Sequence, residues 1–465
     1  MLTEPAVTAL PDLSPEEMMA FIQRLVEEVR RLETEVRRLE AEVERLKQPP
    51  PTSRNSSQPP SRDWKASSLK RKRHKKVGPK LGHVKAERPL VDNPEKVIDL
   101  WVETCAQCGT GLLDQAPERM VRRQVTELPE IKSVVIETRQ YEVRCPACQR
   151  LQRGPLPEAL EASRRFGPRL EALVTYLHHE HHLGFERLCR VMAEVFGTSL
   201  SEGGAVAIVE RAGQAAQPEA EAIGERVRQS AVIASDETSA RVQGRNHWEW
   251  VFIGQRGEYH LIRRSRGQEV VAEFMGECRA EVWLSDCWGP QLKAPTELHQ
   301  LCLPHQVRAL QGLLDKRPRL TWAREMQALL RAAMHLGKRR ETLTALGYQR
   351  QVTILERRLD RLLARRVSGV GENLRERYRT HRAHLLLFLH RADVPSDNNA
   401  CERALRPSVI HRKVLGSFRS EWGAQAYAAL ATVLNTAKRV GENVFQKLIT
   451  LMGTPVLHFL QPSFA

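Results

Sequence analysis

The chain has 465 residues and a formal net charge of +16 at pH 7. That length suits two to four domains with a sizeable core. The basic excess favours a polyanionic partner, and the lack of any run of about 18 apolar residues argues against a helical membrane span. The N-terminus shows no apolar signal core. Nine cysteines in such a chain point to a reducing cytosol, with thiols free or on metal rather than in a disulfide framework. The charge is concentrated in two places. Residues 62–88 hold eleven Lys and Arg against two acids, and residues 308–391 hold twenty against seven. Blocks this dense suit phosphate binding, because each contact releases counterions.

Residues 14–47 read as one helix. Ser14 is a good N-cap, Pro15 fits the first helical position and Glu17 completes a capping box. Met18, Ile22, Leu25, Val29, Leu32, Val36, Leu39, Val43 and Leu46 recur at alternating spacings of four and three. This seam, β-branched at a and mainly Leu at d, predicts a parallel two-stranded coiled coil and hence a homo-oligomer. Glu28, Glu33, Glu35, Glu40 and Glu42 flank the seam, so a parallel self-pair sets like charges face to face.

Residues 48–95 read as a disordered basic linker. A Pro/Ser-rich spacer leads into LKRKRHKKVGPKLGH, whose Lys70, Arg71, Lys72, Arg73, Lys75 and Lys76 suit an arm lying along DNA phosphates. Residues 96–155 carry Cys105-Ala-Gln-Cys108 and Cys145-Pro-Ala-Cys148. Two such knuckles can supply four thiolates to one tetrahedral Zn²⁺, which then has no open position and is structural. The intervening VRRQVTEL and SVVIETRQYEV look like strands of a zinc ribbon-like domain. Residues 160–225 are helical, and a turn at Gly197 between two helices has the length of a helix-turn-helix. A metal reading of HHEHH at 178–182 is weak, because neighbours on a helix point in different directions.

From residue 228 to 465 the pattern changes. AVIASD, HWEWVFIG and EYHLIRR are strand-like, GQEVVAEFMGEC is helical and AEVWLSD is a further strand. The first ends on Asp236 and the last on Asp286, while Glu402 opens a helix in SDNNACERALRP. Carboxylates at strand ends after apolar runs suit hard divalent ions, Mg²⁺ or Mn²⁺, that keep positions open for water and phosphate. Inside a basic chain this points to two-metal phosphodiester chemistry. Asn399, Glu402, Arg403 and Arg406 share one helix face, so Arg403 and Arg406 are candidates for DNA phosphates, with His305 and Arg308 from QLCLPHQVRAL beside them. Residues 308–391 read as a basic helical insertion between the second and third acids. The whole is a multidomain α+β chain: coiled coil, zinc ribbon-like module, helical DNA-binding region, and an RNase H-like α/β catalytic core with its insertion.

The zipper, RNSSQPPSR before GPKLGH, the two Cys pairs, FGPRLEALVTYLHHEHHLGFERL, SDET, CLPHQVR and DNNACERALRP followed by Arg412-Lys413 resemble the DDE transposases of the bacterial insertion-sequence family numbered sixty-six. DNNxxERALRP carries most of the specificity. The resemblance implies an Asp-Asp-Glu triad at Asp236, Asp286 and Glu402, two Mg²⁺ or Mn²⁺ ions per site, structural Zn²⁺, and DNA partners at the element ends and the target. It adds Arg412 and Lys413 to the DNA contacts, admits helper proteins from the same element, and implies a cytoplasmic, nucleoid-associated location. Two alternatives stay open on the residues: an RNase H-like nuclease without strand transfer, and a catalytically degenerate DNA-binding or regulatory protein.

Overall fold

The computed structural model describes residues 14–47, 83, 88–155, 165–367 and 369–453. The basic run from Lys70 to Lys76 and most of the linker lie outside the described residues. The chain divides into two compact units. One contains 88–155 and Phe185–Gly204; the other contains the first helix, 165–184 and 205–453. No helix among the described residues is long and apolar enough to cross a membrane.

Helix α1 (Pro15–Lys47) begins where Pro at the first helical position directs it. Every side chain described along it is exposed, the heptad seam included. Two of the flanking acids are neutralised within the helix: Glu28 pairs with Arg31 at 2.5 Å and Glu35 with Arg38 at 2.6 Å. The like-charge conflict expected of a self-pair is reduced accordingly.

In the smaller unit, of the two runs expected to be strands between the Cys pairs, VRRQVTEL is not one and SVVIETRQYEV contributes only its last two residues, Glu142 and Val143, to a short strand. Residues 119–141 form no ladder. The only pairing in this stretch surrounds the Cys pairs themselves: Thr104 bridges Gly111, and β1 (Glu142–Arg144) pairs antiparallel with β2 (Leu151–Arg153). β-branched runs form strands only where a partner edge satisfies their backbone groups, and none does here. The helical stretch is as expected in kind. Helix α2 (Pro168–His179) precedes α3 (Phe185–Phe196), Gly197 takes a left-handed φ of 59°, and α4 (Glu202–Arg228) follows.

The larger unit is built on a mixed five-stranded sheet. Strands β3 (Val232–Val242), β4 (Arg245–Gly254) and β5 (Gly257–Arg263) form an antiparallel meander. Gln243 and Gly244, both at positive φ (50° and 73°), make the two-residue β3–β4 turn, the geometry that matches strand twist. Helix α5 (Gln268–Met275) returns the chain, so that β6 (Ala280–Ser285) lies parallel to β3 and β7 (Thr296–Leu301) parallel to β6. The order is β5-β4-β3-β6-β7. The sequence reading missed β7, in which only His299, Gln300 and Leu301 are buried and the first half is open to solvent, so no alternating pattern marks it.

Helices α6 (Leu303–Lys316), α7 (Thr321–Lys338), α8 (Ala345–Ala364) and α9 (Val370–Thr380) make up the expected basic insertion, packed around Trp322, Tyr378 and a set of leucines. Three more helices, α10 (Asn399–Leu415), α11 (Glu421–Arg439) and α12 (Val444–Met452), close the unit; the tail beyond 453 lies outside the described residues. The sheet core places Ile233, Trp250, Phe252 and Trp283 against α4, α5, α11 and α12. On the opposite face, Ala234, Val251, Ile253 and Leu284 pack against Cys401, Ala404 and Leu405 of α10. The edge strand β5 is covered rather than bare. Its Glu258 and His260 N–H groups donate to the Thr436 and Thr432 hydroxyls of α11 at 3.1 and 2.9 Å, removing the unpaired row that invites edge-to-edge association.

Candidate active site

Strand register sets the two aspartates. Ala234 of β3 pairs with Leu284 of β6 in parallel, and both side chains lie on the α10 face. Asp236 and Asp286 each follow by two residues, and side chains in a strand alternate faces. They therefore fall on one face, Asp236 just past where the parallel pairing of β3 with β6 stops and Asp286 directly after the end of β6; β3 does not end on Asp236 as expected but runs on to Val242 in its pairing with β4. Glu402 lies in the first turn of α10, the helix packed on that face.

The electrostatics agree with this grouping. The Asp236 carboxyl is held well above its ordinary range, first by burial, then by the negative charges of Glu237, Asp286 and Glu402. One backbone donor, the Glu237 N–H, reaches its Oδ1 at 2.9 Å and works the other way. Asp286 Oδ1 accepts the Trp288 N–H at 2.8 Å. Glu402 Oε1 accepts from Arg308 at 3.1 Å and lies 3.8 Å from His305 Nε2. Burial, then Arg308, lowers the His305 pKa against the pull of Asp286 and Glu402. Arg308 is thus engaged with a candidate acid rather than free for phosphate. Arg403 and Arg406 are exposed and form no ion pair among the described residues, so neither is occupied by a neighbouring acid. Arg412 reaches Ser239 at 3.1 Å, and Lys413 is exposed.

Several residues of this neighbourhood escaped the sequence reading. Asn398, buried before α10, donates its side-chain N–H to the Ser235 carbonyl at 2.8 Å, and its backbone N–H to the Cys302 sulfur at 3.2 Å. It ties the start of the Glu402 helix to the strand that carries Asp236. Glu237, whose side chain is almost wholly buried, pairs with Arg266 at 2.8 Å and accepts from Gln291 at 2.8 Å. Below the site, His260 is buried between Glu249 (2.9 Å) and Glu258 (3.3 Å). Burial opposes its charge, yet the two carboxylates push its pKa up to about 9. Ser408 of α10 donates to the same Glu249 at 2.6 Å, which fixes the helix to β4.

The donor chemistry of Asp236, Asp286 and Glu402 fits a hard divalent cation: all are oxygen ligands, and the mutual repulsion at Asp236 is what a cation relieves. The fit is not closed in this structure. Among the described residues no three His, Cys, Asp or Glu side chains converge closely enough to hold a metal ion, and Glu402 is turned to Arg308. The HHEHH stretch is no exception. His178 and His182 flank His411 with ring centroids 5.9 and 5.8 Å away, an edge-to-face aromatic cluster.

The two Cys pairs have one geometry. Cys105 N–H donates to Thr110 at 2.8 Å and its carbonyl accepts from Gly109 at 2.9 Å; Cys145 N–H donates to Arg150 at 2.9 Å and its carbonyl accepts from Gln149 at 2.8 Å. Gly109 and Gln149 both take positive φ, 74° and 58°, so each chain end folds back over its thiols. Hydrogen bonds from Thr110 bring the Cys108 thiol down to about 7, and backbone N–H groups of Cys148 and Ala147 lower Cys145. Lowered thiol pKa favours the thiolate, which is the metal-binding form.

Comparison with known proteins agrees on both units. Residues 103–149, which contain all four of these cysteines, match the zinc-finger binding domain of transposase IS66. Residues 163–426, which contain Asp236, Asp286 and Glu402, match the family described as Transposase IS66 family. No curated protein matches the chain. The family match covers more than half of the sequence, and the chain belongs to the IS66 family of transposases.

Proposed function

We propose that this transposase cleaves and joins DNA strands of its insertion sequence through an Asp-Asp-Glu triad formed by Asp236, Asp286 and Glu402. The observation that carries this reading is the β3–β6 register, which sets the two aspartates on one face beneath the helix bearing Glu402. The strand order, an antiparallel meander followed by a helix and two parallel strands, supports an RNase H-like core. Bound at these carboxylates, two Mg²⁺ or Mn²⁺ ions would supply charge stabilisation to the attacking and leaving oxygens of an in-line displacement. Asp236, the acid most repelled by its neighbours, would hold the ions together with Asp286 and Glu402. For Glu402 to do so, Arg308 must release it, and the incoming DNA phosphate is the anion that takes its place. Arg308, His305, Arg403, Arg406, Arg412 and Lys413 then hold the backbone around the scissile bond.

Cys105, Cys108, Cys145 and Cys148 are proposed to hold one structural Zn²⁺, each knuckle giving two thiolates. The smaller unit and the helices around Gly197 are proposed to hold the element ends, while α1 forms a coiled coil between copies of the chain. Helper proteins of the same element remain compatible with this scheme. The deciding test is cleavage of labelled DNA carrying the element's own ends, with Mg²⁺ or Mn²⁺. Wild type nicks at the tips, while Asp236→Ala, Asp286→Asn and Glu402→Gln bind the same DNA and do not cut. Binding without cutting by wild type in either metal would favour a DNA-binding regulator instead.

A further inference from the structure

Trp288 lies two residues past Asp286 and is 39% exposed, whereas Trp250 and Trp283 of the same sheet are fully buried. Packing alone does not explain an indole left at the surface beside a cluster of acids. Nor is it loose. Its backbone N–H is held by Asp286 Oδ1, and the Arg266 guanidinium lies 4.2 Å from its ring centroid. The same guanidinium is 4.5 Å from the Trp248 centroid, so one cation is layered between two indoles. Arg266 cannot swing away without leaving Glu237 buried and unpaired. Gln291 fixes that glutamate from the other side, and Trp283 donates to Gln291 at 3.1 Å.

The layer is therefore a rigid support, anchored in the sheet, that ends in an aromatic surface at the candidate active site. A flat π surface backed by a guanidinium suits a ligand that is itself flat and aromatic. In DNA the group that fits is a base that has left its stack, since stacking on a side chain then replaces the lost neighbour. We propose that Trp288, supported by Arg266, docks an unpaired nucleobase next to the phosphodiester held at Asp236 and Asp286. This rests on the reading of those acids as the DNA-processing site. Such a dock gives the protein a reason to distinguish frayed or nicked DNA from intact duplex, without reading sequence.

The test uses the full-length chain carrying Asp236→Asn, so that cutting plays no part in the readout. Its affinity is measured for a duplex and for the same duplex with one unpaired 2-aminopurine. The expected result is tighter binding of the second by about tenfold, with quenched 2-aminopurine fluorescence. Adding Trp288→Ala brings the ratio close to one and removes the quenching, with affinity for the paired duplex retained as proof of folding. Trp288→Phe, which keeps a ring, preserves most of the discrimination. Equal affinity for the two DNAs in the parent, or discrimination that survives Trp288→Ala, overturns the proposal. Failure of the triad reading would show separately, as wild type that never cleaves element ends in either metal.

Discussion

Asn398 carries one of the few direct links between the third candidate acid and the first. Its side-chain N–H is the donor to the Ser235 carbonyl, one residue before Asp236, and both residues are buried. Asn398→Ala leaves that carbonyl without its partner, at a cost of about 1–3 kcal/mol, readable as a lower urea midpoint with unchanged slope. At the same scale, Arg308→Ala frees Glu402 from its one close cation. Cleavage by this variant is expected to require less metal, because the carboxylate no longer has to leave an arginine, while DNA binding weakens; a metal titration of the cleavage rate checks it. These residues show what was legible. Asp236, Asp286 and Glu402 could be proposed from the sequence because each has a recognisable setting: Asp236 after the apolar start of β3, Asp286 just past β6 and Glu402 in the first turn of a helix. Asn398 could be read as part of a motif but not as a tether, since its partner lies 163 residues away. Glu237, Arg266 and Trp288 were invisible for the same reason: their grouping comes from the sheet, and no local pattern encodes it.

Helix α10 is the element on which the site depends. One side packs on β3, β4 and β6, Ser408 reaches Glu249, and His411 is buried among His178, His182, Phe418 and Tyr427. Burial, then the neighbouring histidines, takes the His411 pKa down to about 3. An unfolded chain binds a proton at this ring below about 6.5 while the folded chain does not, so stability falls as pH drops from about 6.5 towards 3. The slope is up to about 1.4 kcal/mol per pH unit from this group. His411→Phe, which keeps the ring packing, is expected to flatten the acid limb of a denaturation-versus-pH series. Helix α1 raises a different expectation. Its seam is exposed from Met18 to Val43, and Glu28 and Glu35 already have arginine partners. If the seam is a dimer interface, Leu25→Asp with Leu32→Asp converts a dimer into a monomer by light scattering, with no loss of fold in the larger unit. Elements with a strong period, such as α1 and the insertion helices, were legible in the sequence. The runs expected as strands, VRRQVTEL and SVVIETRQYEV, gave only Glu142 and Val143 to a ladder, and β7 formed unforeseen, because strand formation is decided by the neighbour and not by the run itself.

At the scale of the whole molecule, the net charge of +16 predicts that DNA affinity falls steeply with salt, linear in log–log form. Zinc is expected at one ion per chain by metal analysis. Its removal by a chelator should unfold the knuckles and leave the helix signal of the larger unit nearly intact. Simultaneous loss of both signals would mean that the two units fold as one.

The tether from Asn398 to Ser235 spans 163 residues, and the Asn398 contact to Cys302 spans 96. Between the second acid and the third, the chain must first build all of α6 to α9. Contacts this distant in sequence form late in folding. On the proposed triad, a ribosome that has released both aspartates has therefore not yet made the cleaving site. A chain truncated anywhere in the insertion holds the strands and their two carboxylates but lacks the helix that completes them. On that proposal the layout works as a length check, in which the chain must be made through α10 before it is armed against the DNA of the cell that is making it.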